Sequence, residues 1–224
     1  MARSGSTGLK QKNLLKIKNK SLFIWSILRS KKSKYISKSI LFTDSKIYAR
    51  LGKASGAYIP YLRSKNISKS TSTSYQTINH LLKFLKKNHD LPDYFVLIEP
   101  TSPLTETIDI DRGIKKLLNN TNMDFLVSVA KLDKFDENYL YKVKNSKITP
   151  VKKIKNNLNR SQNTKTYFLD GSIYIAKSNK YLQNKGFLSN KTLCDIYPKH
   201  KSFEIDDKID YEIVKKIFKD YKIE

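Results

Sequence analysis

The sequence predicts a single α/β domain built on a mostly parallel sheet with helices on both faces. Short apolar, β-branched runs alternate along it with amphipathic helical patterns, and this alternation is the mark of strands covered by helices. At 224 residues the chain is long enough for one large core and too short for two full domains. The apolar runs are each too short for a helix and are bounded by turn residues.

The expected strands are Ser39 to Thr43, Tyr94 to Ile98, Phe125 to Ala130, Gly171 to Ala176 and Ser202 to Ile205. The expected helices are Ser21 to Ser30, Lys46 to Ser55, Ser74 to Lys87, Ile108 to Leu118 and Asp207 to Tyr221. In the third helix Tyr75, Ile78, Leu81, Leu82 and Leu85 share one face, while Lys83, Lys86 and Lys87 face water. One stretch, Asp133 to Thr166, breaks the alternation. It is rich in Lys and Asn with weak apolar spacing at Tyr139, Tyr141, Val143 and Ile148, and reads as an excursion from the sheet, either a flap or an arm that grips a second subunit. No internal repeat is visible.

The formal charge of +24 points first to nucleic acid. Only six of the 44 basic residues are Arg, and Lys is scattered over the whole length with Asn, Ile, Ser and Tyr. A dedicated binder concentrates its charge in a patch or stripe, so the reading here is solvated faces and a field that favours polyanionic ligands. A basic nucleotide- or nucleic-acid-binding protein without turnover is the rival reading. No apolar run reaches the roughly 18 residues of a membrane span, no export signal is seen, and the single Cys194 suits a reducing compartment, so the expected location is the cytoplasm.

Three motifs carry chemistry. The first is Arg3-Ser4-Gly5-Ser6-Thr7-Gly8, followed by Lys12 and Asn13. Its glycines and small hydroxyl residues let backbone N–H groups face phosphate oxygens between two cations; a flexible Ser/Gly tail is the plainer alternative. It lacks the Gly-Lys-Ser/Thr ending of a Walker loop. The second, Glu99-Pro100-Thr101-Ser102-Pro103-Leu104, follows a buried strand, where ligands bind in open α/β sheets. It also reads as an ordinary strand-to-helix turn capped by Thr105 or Thr107. The third is Glu204-Ile205-Asp206-Asp207, with Asp210 three residues on. In extended backbone Glu204 and Asp206 point to one side and could share a Mg²⁺ ion; equally, Asp206 or Asp207 caps the last helix.

In order, these pieces resemble the acylneuraminate cytidylyltransferases. Ala2 to Asn13 is similar to that family's Ala-Arg-x-x-Ser-Lys-Gly-Leu-x-x-Lys-Asn, Phe42-Thr43-Asp44 to its Ser-Thr-Asp, and Pro100 to Leu104 reproduces its Pro-Thr-Ser-Pro-Leu. Asp170 to Ile175 is similar to Asn-Gly-Ala-Ile-Tyr-Ile, and Ser202 to Asp210 to Ser-Ile-Asp-Ile-Asp-x-x-x-Asp. The resemblance implies a three-layer Rossmann-like nucleotidyltransferase fold and transfer of CMP from CTP to an acidic nine-carbon keto-sugar, with Mg²⁺ as cofactor. It assigns catalysis to Arg3, Lys12 and Asp206, and metal binding to Glu204 and Asp206. Nucleotide binding falls to Arg3, Ser6, Gly8, Lys12, Asn13, Arg63, Thr71, Ser72 and Ser74, and sugar binding to Glu99, Thr101, Ser102, Asp170 and Tyr174. It also implies a homodimer gripped through residues 133–166, with no membrane or nucleic-acid partner.

Departures stand at Thr7, Ser70, Glu99, Thr105 and Phe168, where the family has Lys, Asp, Gln, Arg and Arg. Fewer cations and one more acid near an anionic sugar imply either a relative such as a legionaminic-type substrate, or reduced or absent activity. The family also places an apolar strand before its Arg, so an upstream start is expected here.

Overall fold

The computed structural model describes residues 1–5, 9–69, 71–132, 140–151 and 166–223. The elements run β1 (Lys16–Ile17), β2 (Lys20–Ser21), α1 (Leu22–Lys32), α2 (Lys46–Ala54), α3 (Ser74–Lys87), β3 (Tyr94–Ile98), α4 (Thr107–Leu118) and β4 (Phe125–Lys131). They continue with β5 (Tyr141–Lys144), β6 (Lys147–Pro150), β7 (Tyr167–Lys177), α5 (Ser178–Asn184), β8 (Thr192–Tyr197) and α6 (Lys208–Asp220). All five expected helices are present within about two residues of their expected ends. Thr73 and Asp207 close capping boxes with Gln76 and Asp210 at the starts of α3 and α6.

The central sheet has the order β3-β7-β4-β8. It is mixed: β4 and β8 pair in parallel, whereas β7 runs antiparallel to both its neighbours, so β3, β4 and β8 share one direction and β7 opposes them. The reversal follows from the connection. A parallel neighbour needs a crossover, normally a helix, but between β4 and β7 the described chain carries the β5–β6 hairpin instead. Two expected strands are absent. Residues 39–43 make only an isolated bridge, Ile40 to Tyr58, and 202–205 run extended between a short turn and α6 without a ladder. The unexpected β8 is an edge strand whose Cys194 and Asp195 hide the alternation.

Period-2 alternation sorts the core into layers. Leu126, Ile173 and Ile175 pack on Ile110, Ile114 and Leu117 of α4. Their chain neighbours Phe125 and Ala176 pack with Leu97 on the opposite face, against Ile78 and Leu82 of α3 and Tyr181 of α5. A third cluster, Ile17, Leu22, Trp25, Leu104, Ile205, Val214 and Phe218, joins α1 and α6 at one end of the sheet. Beside β3, on the edge away from β7, a mainly apolar cavity of about 470 Å³ is bounded by Phe23, Ile27, Leu41, Val96 and Leu97, with Met1 also on its wall. Ala2, buried, donates its N–H to Phe42 O at 3.3 Å. This lining suits a hydrophobic occupant and not a triphosphate. No helix among the described residues is long and apolar enough to cross a membrane.

α2 packs closely on residue 41: a Cβ on Gly52 would lie 2.4 Å from Leu41 Cδ2. Gly52→Ala is therefore expected to destabilise the fold by about 1–3 kcal/mol despite the better helix propensity of Ala, because overpacking outweighs it. Thermal unfolding of the variant checks this; an unchanged or raised midpoint contradicts the packing.

Candidate active site

The site gathers where β3 ends. Glu99 continues β3 and donates its N–H to Ser172 O of β7 at 3.4 Å. The 100–104 turn, stiffened by Pro100 and Pro103, then brings Thr101 against the extended segment 202–206. Ile205 N–H donates to Thr101 O at 2.9 Å, and Thr101 Oγ1 donates to Glu204 Oε1 at 2.6 Å. Ile205 is fully buried against Leu104 and Val214. Alternation therefore turns Glu204 and Asp206 away from the core together, as expected for extended backbone.

Gly171 makes room for Glu204. Its φ of +75° suits glycine, and a Cβ there would meet Glu204 Oε2 at 2.8 Å. It sits in β7 opposite a register shift in β4 between Val127 and Val129. The intervening Ser128 donates through Oγ to Asp170 in a short hydrogen bond and accepts from Ile173 N–H at 2.9 Å. Asp170, 3% exposed, also accepts from Ser172 N–H and Oγ, both at 3.2 Å.

The first motif closes the site from the other side. Gln11 adopts a left-handed φ of 54° and opens a short 3-10 turn, Lys12–Leu14. Lys12 Nζ reaches Asp206 Oδ1 at 2.9 Å, across 194 residues of sequence. Asn13, buried, donates from Nδ2 to Arg3 O at 3.1 Å, and Ser4 gives both its N–H and its hydroxyl to Asp44, each at 2.8 Å. Lys12 is thus joined to Asp206 and Thr101 to Glu204, while the neighbouring Asn13 ties down the Arg3 backbone through its carbonyl. Asp207, and not Asp206, caps α6: it accepts from Asp210 N–H at 2.9 Å, which leaves Asp206 for Lys12.

The remaining expected residues are placed differently. Arg63 is buried, and its guanidinium donates to Ile67 O at 2.5 Å and Thr77 Oγ1 at 3.3 Å. It acts as an anchor holding the 64–73 loop to α3. Its charge still senses Asp44 and Arg3, although burial is what chiefly lowers its pKa. Thr71, Ser72 and Ser74 lie on that loop and at the start of α3, where Ser72 Oγ donates to Asn66 O at 3.3 Å. Ser102, expected on the sugar side, is buried at 2% exposure within the turn, where its N–H donates to Glu99 O and its hydroxyl has no partner among the described residues. Ser6 and Gly8 lie outside the described residues, as do 133–139 and 152–165 of the excursion. Sequence reasoning gave no role to Ser128 or Gly171. The Asp170-Gly171 pair signalled the second, and nothing signalled the first.

Electrostatics separate two environments. Burial pushes the Glu99 carboxyl above its ordinary range, with Glu204 adding to the rise and Lys12 opposing it. Burial likewise pushes Tyr174 up to about 12, helped by Glu99, Glu204 and Asp170. These acids crowd the β3 end, whereas Asp206 is 75% exposed beside Lys12.

A family model described as cytidylyltransferase matches residues 1–223. The chain belongs to the cytidylyltransferase family. Relatives within it include the N-acylneuraminate cytidylyltransferase of Escherichia coli, 29% identical over 95% of this chain and 49% of that protein. The CMP-N,N'-diacetyllegionaminic acid synthase of Legionella pneumophila is 27% identical over 96% of this chain and 93% of that one. A flagellin modification protein B of Campylobacter coli is 25% identical over 100% and 94%. The chain thus spans about half the length of the first and nearly all of the other two. Among solved structures, a CMP:2-keto-3-deoxy-manno-octonic acid synthetase complexed with CTP shares the fold at a TM-score of 0.70 and 13% identity, covering 98% of this chain and 96% of that one.

The buried Asp170 gives a pH signature. Burial raises its pKa above the unfolded value despite its three hydrogen bonds, so stability from this position is full below the ordinary aspartate range and declines as pH rises through the raised value. Asp170→Asn should therefore stabilise the protein on the order of 1 kcal/mol near neutral pH, with the gain fading below about pH 3.5. Thermal unfolding across pH tests it; a variant destabilised at neutral pH reverses the sign.

Proposed function

We propose that this chain transfers CMP from CTP to an acidic nine-carbon, sialic-acid-like keto-sugar and releases pyrophosphate. The observation that carries the reading is the 2.9 Å pair between Lys12 and Asp206, which brings the Lys12-Asn13 end of the first motif onto the paired carboxylates. The anomeric hydroxyl oxygen of the sugar attacks the α-phosphorus and loses its proton to water, the bond from that phosphorus to the bridging oxygen of the β-phosphate breaks, and pyrophosphate leaves. Such transfers depend on positioning and charge neutralisation. Lys12 and Arg3 serve the triphosphate, and Asn13 holds Arg3 in place through its carbonyl. On triphosphate binding, Lys12 exchanges its carboxylate partner for a phosphate oxygen, which frees Asp206.

Glu204 and Asp206 fit a Mg²⁺ site of the open kind. Mg²⁺ takes one or two carboxylates and fills its octahedron with water and phosphate oxygens. That agrees with two outward carboxylates on one extended segment. When bound, the ion supplies charge neutralisation at the phosphates and acidifies the attacking hydroxyl. Glu99, Thr101 and Tyr174 line the sugar side. The β5–β6 hairpin leaves Val143 and Ile148 exposed, which supports its reading as part of an arm that grips a second copy.

Pyrophosphate release with CTP and a panel of nonulosonic acids tests the proposal. Release is expected with at least one of these sugars and with CTP over other nucleotides. Asp206→Ala should lower kcat at least about 100-fold, on the order of 2.7 kcal/mol of transition-state stabilisation. Absence of release with every sugar defeats the reading.

A further inference from the structure

We infer that Lys201 is a positioning residue for the transfer proposed above, holding the Glu204 to Asp206 segment in register with Thr101 and Lys12. Lys201 ends a short 3-10 turn, Lys199–Lys201, directly before that segment. Its side chain is 11% exposed, and its ammonium lies 2.6 Å from Asp109 Oδ2 and 2.7 Å from Glu106 Oε2. Asp109, only 1% exposed, is also bound by Arg112 at 2.9 Å and accepts from Glu106 N–H at 2.9 Å. Arg112 continues to Asp195 of β8 at 2.9 Å. A buried lysine between two carboxylates is held by charge and geometry together, because an unpaired charge there is costly.

The place of this pair in the chain makes it more than a brace. Glu106 and Asp109 open α4, immediately after the 99–104 turn, and that turn supplies Thr101, which grips Glu204 and Ile205. Two clips therefore join the same two stretches of chain: Lys201 to Glu106 and Asp109, and Thr101 to residues 204 and 205. Between the clips run only Ser202 and Phe203. Downstream, the Asp207–Asp210 capping box closes the segment. With its start pinned by Lys201, its middle by Thr101 and its end by the cap, the segment has little freedom to slide past the 99–104 turn. A slip of one residue would turn both carboxylates into the core. Glu204 and Asp206 make the contacts with the reactants, and Lys201 acts through them.

Lys201→Met, Lys201→Arg and the double variant Lys201→Met with Asp109→Asn test this against simple loss of stability. Each is compared with the unsubstituted protein in pyrophosphate release, at a temperature where circular dichroism shows all to be folded, and in the rise of the thermal midpoint on adding CTP with magnesium. The expected result for Lys201→Met is at least a tenfold fall in kcat with KM for CTP changed less than threefold, and a smaller ligand-induced rise in midpoint. Lys201→Arg should recover part of the rate. The double variant, which removes the more buried of the two carboxylates that lose Lys201, should regain thermal stability while kcat stays low. A double variant whose rate returns with its stability overturns the inference, as does an unchanged kcat in Lys201→Met. An unsubstituted protein that releases no pyrophosphate overturns the proposed transfer, and this inference with it.

Discussion

The site depends on one short contact between strand-like segments far apart in sequence: Thr101 accepting from Ile205 and donating to Glu204. Ile205 supplies the other half of the constraint. Fully buried between Leu104 and Val214, it fixes which way its neighbours point, and hydrophobic burial thereby aims two charges at solvent. Everything else at the β3 end accommodates that arrangement. Gly171 leaves space for Glu204, Lys12 answers Asp206, and Asp207 takes over the capping task that would otherwise compete for the same acids.

Charge is handled in two ways on either side of this segment. On one side, Lys201, Arg112 and Lys116 balance Asp109, Glu106 and Asp195 in a dense network. Toward solvent, Asp206 meets Lys12, and at the β3 end Glu99, Glu204 and Asp170 are close enough to add to the burial that raises the Tyr174 pKa. A protein of net charge +24 thus concentrates acids at one point. The scattered lysines explain the rest of the excess as solvated surface.

Much of this was legible in residue order. The helices were readable because their apolar faces recur at three and four residues, and Tyr94 to Ile98 because a continuous apolar run ends at Glu99-Pro100. The five motifs came in the order found in the cytidylyltransferases, to which the chain belongs. The antiparallel β7 was not legible, since an apolar run has no direction until its connection is known. β8 was hidden by Cys194 and Asp195.

By itself, the sequence determined the layer architecture, the family and the identity of the groups available for chemistry, because these follow from side-chain type and local period. Only the tertiary structure decided which groups meet. That Lys12 pairs with Asp206 across 194 residues, that Arg63 is spent on anchoring a loop, and that Lys201 locks onto Asp109 are consequences of chain closure and burial. Local pattern holds no information about them, because long-range ion pairs form only once the core has brought distant backbones to fixed separations.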